Sequence, residues 1–405
     1  NRTNRTMNVR LLIATLALLL AGCDIPGMGP DPRIAQREAD GKTPNGVLEE
    51  NAHIGAAMKL LPKFTAADGM KFVAAAQQVY ASNGYATVQE GRADPTTLAL
   101  LEGASKAKQL SLDVIAYPDM VMNKDNPMLH GPLMSRTYAD HFRLGGVKLT
   151  FDGSPQGKTA WFTVPYYVVP EGQKPDYAGY PSFPDPKDAA GLVEKAFRNN
   201  WQLLVHTNGD AAIDALITDV RAAEKAVPGH DRRTVLVHGQ YLRADQIPQL
   251  KKLEIFPSLY PMHTYYWGDW HRESVAGPVR AEFISPTGAV LAAGMKFSIH
   301  HDAPVTFPNS MRVFDSAVNR TTRTNYVLGP GQRITPAVAL KAMTLWPAWQ
   351  HFEADHKGSI ETGKDADLVI LSANPLTVPP ATIKDIKIDA TIKAGATIYA
   401  RAGAN

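Results

Sequence analysis

Seven short apolar runs recur along the chain, at 85–88, 112–116, 146–151, 203–206, 235–238, 255–259 and 297–299, separated by longer stretches that include segments of helical period. In one such segment, 210–227, Ile213, Leu216, Ile217 and Val220 repeat at three and four residues and so share one face. Short apolar runs alternating with amphipathic helices read as βα units, whose strands pair in parallel with helices packed over them. The polar residues narrow the fold further. His206, His238, His263 and the triplet His300-His301-Asp302 stand at or just past the C-terminal ends of four successive runs. In a (β/α)8 barrel those ends converge, so side chains distant in sequence meet at one mouth. Any one of these histidines alone reads as a core or surface residue. Four such strand ends in a chain with 12 histidines point to a metal or catalytic centre.

The 405 residues carry 42 Lys and Arg against 39 Asp and Glu, a net charge of +3, which excludes a polybasic nucleic-acid binder. That length allows two or three domains, or one large barrel with an appendage. A single cysteine, Cys23, excludes a disulfide framework and a thiolate zinc site within one chain. Its own setting is informative. Met7 opens a short basic region, residues 11–20 are almost wholly apolar, and the stretch closes Leu20-Ala21-Gly22-Cys23. An apolar stretch too brief to span a bilayer, followed by small residues, marks a secretory signal. The ending resembles a bacterial lipobox, which implies that Cys23 is lipidated and becomes the mature N-terminus. The expectation is a lipid-anchored protein of the bacterial cell envelope, periplasmic or surface-facing. Residues 1–23 then form the lipoprotein signal segment, 24–59 a tether rich in Gly, Pro and charge, 60–355 the barrel, and 356–405 a C-terminal β-sandwich segment.

The strand-end residues suggest a particular chemistry. Neutral imidazoles are common ligands of zinc, and a carboxylate can serve both as ligand and as proton acceptor. A divalent ion lowers the pKa of bound water towards about 7, and an Asp beside that water can take its proton and pass it to a leaving nitrogen. The reaction implied is hydrolysis.

Four motifs carry a family resemblance: Gly146-Val147-Lys148-Leu149 with Asp152-Gly153-Ser154, His206-Thr207-Asn208-Gly209-Asp210, Val237-His238-Gly239-Gln240, and His301-Asp302-Ala303-Pro304-Val305. With the segments 358–371 and 391–395, they lie in the order and at the spacing of the amidohydrolase superfamily. They are most similar to its amidohydrolase-3 branch, which includes N-substituted formamide deformylases. The resemblance implies an α/β fold, a (β/α)8 TIM-like barrel with a partial β-sandwich appendage. It also implies that His206 and His238 are metal ligands, and that Asp302 is the catalytic carboxylate that also touches the metal. Lys148 matches the position that bridges two metals when carboxylated; the alternative is an ordinary strand lysine paired with a carboxylate such as Asp152. His263 would face the substrate. Tyr260 and Trp267, in the aromatic stretch after the seventh run, would line a pocket for a bulky amide-type small molecule, or else pack loops against the barrel.

The chain also departs from the family pattern. The family opens its barrel with a His-x-His pair on the first strand, and no His-x-His occurs in this sequence. The adjacent pair His300-His301 cannot replace it, because successive strand side chains point to opposite faces. The seven runs therefore correspond to strands two to eight, and the first strand is expected to be missing. Two sheet edges would then need cover, and at most one weakly held zinc-like ion is expected. Two functions follow: an anchored metal hydrolase cleaving a non-peptide carbon–nitrogen bond, or a catalytically degenerate relative acting as an anchored binding protein. An oligomer is compatible with either.

Overall fold

The computed structural model describes residues 64–403, together with the backbone of Ala35–Arg37 (β1) and Pro44–Leu48 (β2), which pair antiparallel. The signal segment, Cys23 and most of the tether lie outside the described residues. The helix Ala66–Ser82 begins at Thr65, whose hydroxyl accepts from the Asp68 amide while the Asp68 carboxylate accepts from the Thr65 amide. This reciprocal cap satisfies two of the donors that a helix start leaves free.

The parallel wall follows. Its strands are β3 (Thr87–Ala93), β4 (Asp113–Pro118), β5 (Phe142–Leu144), β6 (Gly146–Thr150), β7 (Gln202–Thr207), β8 (Val235–His238), β9 (Phe256–Leu259) and β10 (Ser298–Ile299). β3, β4 and β5 form one parallel sheet and β6 to β10 another. β5 and β6 are one strand interrupted at Gly145, and a parallel bridge from Asp119 to Lys148 links β4 to β6. The wall therefore has seven strand positions, in the order of the seven apolar runs. At Gly146 the close approach of β7 forbids a side chain, since a Cβ would sit 2.0 Å from the Gln202 carbonyl oxygen.

The expected second strand, 85–88, differs most from what forms. β3 starts at Thr87 and runs on through Gln89, Glu90 and Arg92, a polar stretch without apolar alternation. Pairing with the fully buried β4 sets its length, and its other side is half-exposed. Among the described residues, β3 pairs only with β4 and β10 only with β9. The two ends of the wall nonetheless approach each other. His301, just past β10, packs against Tyr80 and Tyr85, just before β3, with ring centroids 5.7 and 5.3 Å apart.

Two-residue alternation sorts the strands' side chains. Val147, Leu149, Leu203, Val205, Leu236 and Leu259 face the surrounding helices, where they join Ile213, Leu216, Ile217 and Val220 in the largest core. Each such buried side chain contributes roughly 1.5–3 kcal/mol. Ile115, Tyr117, Leu204, Val235, Val237 and Phe256 form a separate cluster inside the wall, with Trp346 and Trp349 packed against it. Strands β11 (Leu368–Leu371), β12 (Ile388–Lys393) and β13 (Ala396–Ala400) form an antiparallel meander. It is tied to the helix Ala66–Ser82 by the Thr391 hydroxyl, which donates to the Ala81 carbonyl at 2.6 Å.

Candidate active site

Four charged or ionisable side chains gather at the C-terminal end of the wall, and the backbone explains why. Lys148 and His206 have the inward parity of their strands, opposite to Val147 and Leu149 or to Leu203 and Val205. His238 does not, because alternation would send it outward with Leu236. It adopts a left-handed φ of 76° instead, and its ring lies 4.6 Å from that of His206 at an interplanar angle of 82°. Asp302 also has a left-handed φ, of 54°. Such backbone costs a non-glycine residue about 1–2 kcal/mol and collects at functional sites.

Burial dominates the electrostatics. It raises the Asp302 carboxyl above its ordinary value against the opposing pull of His206 and Lys148. It also lowers Lys148 to about 7, where Asp302, Asp119 and Glu90 pull upward and Arg92 pushes down. His238 is held well below the usual imidazole range by burial, then by His206, His300 and Lys148, so it is neutral and keeps a lone pair.

The loops lock these rings in place. Asp152 is not the partner of Lys148. Its oxygens accept from the backbone amides of Asn208 (2.9 Å), Gly209 (2.7 Å) and Trp161 (3.0 Å), tying the loops after β6 and β7 together beside His206. Gly209 is required there, because a Cβ would meet the Trp161 carbonyl oxygen at 1.8 Å. His206 Nδ1 lies 3.3 Å from Asp152 but makes no hydrogen bond to it, and it is a buried nitrogen without a partner among the described residues. His300 turns inward and His301 outward, as strand alternation requires. His300 Nε2 is 2.9 Å from His238 Nδ1, its Nδ1 is 3.0 Å from the Ser258 hydroxyl, and its ring stacks on Tyr260. Tyr260 in turn meets His263 edge-on at 4.6 Å, and Trp267 lies 4.7 Å from His263. Tyr260, His263 and Trp267 therefore stand beside the histidine cluster. Phe162 and Tyr166 pack instead with Tyr241, Val275 and Leu328 in a core of their own.

Sequence reasoning counted His300 in the strand-end cluster without giving it a role, took Asp152 only as a motif residue and an alternative partner for Lys148, and assigned no role to His271 or Tyr241. The alternation that turns His301 away places His300 inward, and that was the available signal for it. The roles of the other three depend on contacts made across loops.

The donors fit a divalent ion in kind: an orphaned buried imidazole nitrogen on His206, a neutral imidazole at His238 and a buried carboxylate at Asp302. They do not close a cage, since among the described residues no group of three or more His, Cys, Asp or Glu is arranged to hold a metal.

Comparison with known proteins bears on the chemistry. A family model described as "Amidohydrolase family" matches residues 10–399. "Protein LONG AFTER FAR-RED 3" of Arabidopsis thaliana is 27% identical over 57% of this chain and 39% of its own length. The N-substituted formamide deformylase of Arthrobacter pascens is 26% identical over 52% of this chain and 39% of its own. The matched stretch thus spans well under half the length of these curated relatives. An uncharacterised metal-dependent hydrolase from Pyrococcus furiosus superposes with a TM-score of 0.68 at 24% identity, covering 82% of this chain and 65% of that one. The likeness shows a TIM-barrel-like amidohydrolase fold.

Proposed function

Because the chain belongs to the amidohydrolase family, we infer that it is a metal-dependent hydrolase that cleaves a non-peptide carbon–nitrogen bond in a small amide- or formamide-type molecule. The observation that carries this reading is the convergence of His206, His238, Lys148 and a buried Asp302 at one end of the wall. The residues that would hold a divalent ion, zinc in the first instance, are His206, His238 and Asp302, which would have to draw closer together than they stand here, and the ion would supply Lewis-acid polarisation and a more acidic water. The remaining work belongs to the chain's own side chains. Asp302, its carboxyl raised by burial, accepts a proton from the attacking water and returns it to the leaving nitrogen. His300 holds the His238 ring from behind, and Asp152 holds the loop that carries Asn208 beside His206. Tyr260, His263 and Trp267 supply the wall against which an acyl or aromatic group rests.

A second reading, a binding protein that keeps the fold without the chemistry, is favoured by the absence of a three-ligand group among the described residues. Elemental analysis of the purified chain, paired with hydrolysis of a panel of N-acyl and N-formyl amines, separates the two. About one metal per chain with turnover that is lost in His206→Ala supports the hydrolase, and no metal with no turnover supports the binding protein.

The Leu20-Ala21-Gly22-Cys23 ending supports anchoring of the mature protein at a lipidated Cys23 on the cell envelope. Cys23→Ser is expected to move the protein from carbonate-washed membranes to the soluble fraction, and retention of the mutant in the membranes overturns the anchor.

A further inference from the structure

Beside the histidine cluster runs a second chain of buried polar groups that the proposed chemistry does not use. His263 lies in the first turn of the helix Met262–Trp270, just past β9. Its Nδ1 is 3.0 Å from Nε2 of His271, and His271 Nδ1 is 2.7 Å from the Tyr241 hydroxyl. All three residues are buried. His271 opens a single wide turn, His271–Val275, in which the helix relaxes to π geometry, a local distortion that recurs at functional sites.

The positions of the protons along this chain can be worked out. Burial lowers His271 to about 3 and holds His263 well below the imidazole range, so each ring is neutral and carries one N–H. Burial also raises the Tyr241 hydroxyl, which keeps its proton. Two arrangements are possible. In one, Tyr241 O–H donates to His271 Nδ1, His271 Nε2–H donates to His263 Nδ1, and His263 carries its proton on Nε2. In the other, every bond reverses and the Tyr241 proton needs another acceptor. The structure gives the Tyr241 hydroxyl no hydrogen-bond partner but His271 among the described residues. The second arrangement leaves the Tyr241 hydrogen unpaired, whereas the first leaves only the His263 Nε2 hydrogen, on a nitrogen that keeps some exposure, so the first arrangement wins.

We propose that Tyr241 and His271 are positioning residues that lock His263 as its Nε2–H tautomer, so that the ring presents a fixed, uncharged hydrogen-bond donor at the mouth for a carbonyl oxygen of the bound molecule. His263 Nε2 has no protein acceptor among the described residues, and its ring shares Tyr260 with His300, which reaches His238. The identity of the oxygen as an amide carbonyl rests on the hydrolase reading. The tautomer does not.

The test uses the full chain labelled with 15N-histidine and long-range 1H–15N correlation spectra of the imidazoles, with His263 assigned by the signals lost in His263→Gln. The wild-type protein is expected to show His263 protonated on Nε2 and bare on Nδ1 from pH 6 to 9. Tyr241→Phe, which removes the first donor, is expected to mix or invert the tautomers of His271 and His263. It should also raise KM for an N-acyl substrate about tenfold while changing kcat less than threefold. A His263 protonated on Nδ1 in the wild type overturns the proposal even if Tyr241→Phe fails to fold. So does a folded Tyr241→Phe whose tautomers are unchanged. Should the tautomer stand while no substrate in the panel turns over, the hydrolase reading fails and the relay survives.

Discussion

The two ends of the parallel wall both bury charge, but they treat it in opposite ways. At the N-terminal end, Asp113 bonds to Lys357 and Lys393 at 2.6 Å each and to His141 at 2.7 Å. Lys393 also reaches Asp367, and Glu353 joins Lys357 and Arg143 at 3.0 and 2.8 Å. Burial alone would raise Asp113 and Glu353, yet Lys357 and its neighbours outweigh it and hold both carboxyls below their ordinary values. At the C-terminal end the balance is reversed. Asp302 stays raised, Lys148 sits at about 7, and His238, His263 and His300 are kept neutral. Paired charge joins the wall to the C-terminal meander, since Lys393 lies in β12. Underpaired charge leaves groups whose protons and lone pairs remain available to a ligand.

The sharpest way to break this contrast is to remove one group from each end. Asp302→Asn is expected to lower turnover of any hydrolysed substrate by roughly a hundredfold or more, because a proton carrier is lost. The same change should leave the thermal midpoint unchanged or raise it, since the substitution removes an underpaired buried charge. Asp113→Asn should do the reverse. It takes one of two carboxylate partners from each of the buried lysines Lys357 and Lys393, which keep Glu353 and Asp367, at a cost of about 1.5–3 kcal/mol, and residual turnover per folded molecule should persist. A variant pair in which both changes unfold the protein equally would erase the distinction.

Acid should separate the ends more gently, because their groups titrate in different windows. Imidazoles held below 6.5 in the folded state, such as His271 at about 3 and His301 at about 4, take up protons more readily when unfolded. Their contribution to stability is therefore complete above pH 6.5 and declines as pH falls below it. The depressed carboxyls Asp113 and Glu353 add their loss only below about pH 4. Lys393, raised despite its burial by its bonds to Asp113 and Asp367, adds a loss only as pH climbs past 10.5. Thermal midpoints measured from pH 8 to 3 should fall in two stages, the first shallower in His271→Gln. His351, at the other end and also lowered to about 3, keeps that first stage from vanishing. A first stage equally steep in His271→Gln would show that the His271 imidazole is not held neutral. As a measure of scale, Thr65→Ala touches neither end and removes one exposed helix cap, and it should cost about 1 kcal/mol by denaturant titration.

Seven wall positions in order, and the inward aim of Lys148 and His206, were legible in the sequence, because alternation along a strand and the three-to-four spacing of a helix face are local properties. Asp302 was legible for the same reason, as the polar stop of an apolar run. Tertiary structure decided the rest. His238 reaches its neighbours only through a left-handed φ that reverses its strand parity, and no periodicity encodes that turn. Tyr241 and His271 meet only when the loop after β8 folds onto the turn His271–Val275. Asp113 finds Lys357 and Lys393 in segments far along the chain, and Asp152 spends its oxygens on backbone amides where the sequence offered Lys148. Local spacing fixes which face a side chain takes along its own strand or helix. Which distant partner neutralises a buried charge, and which charge stays underpaired, depends on how strands and loops far apart in the sequence come together.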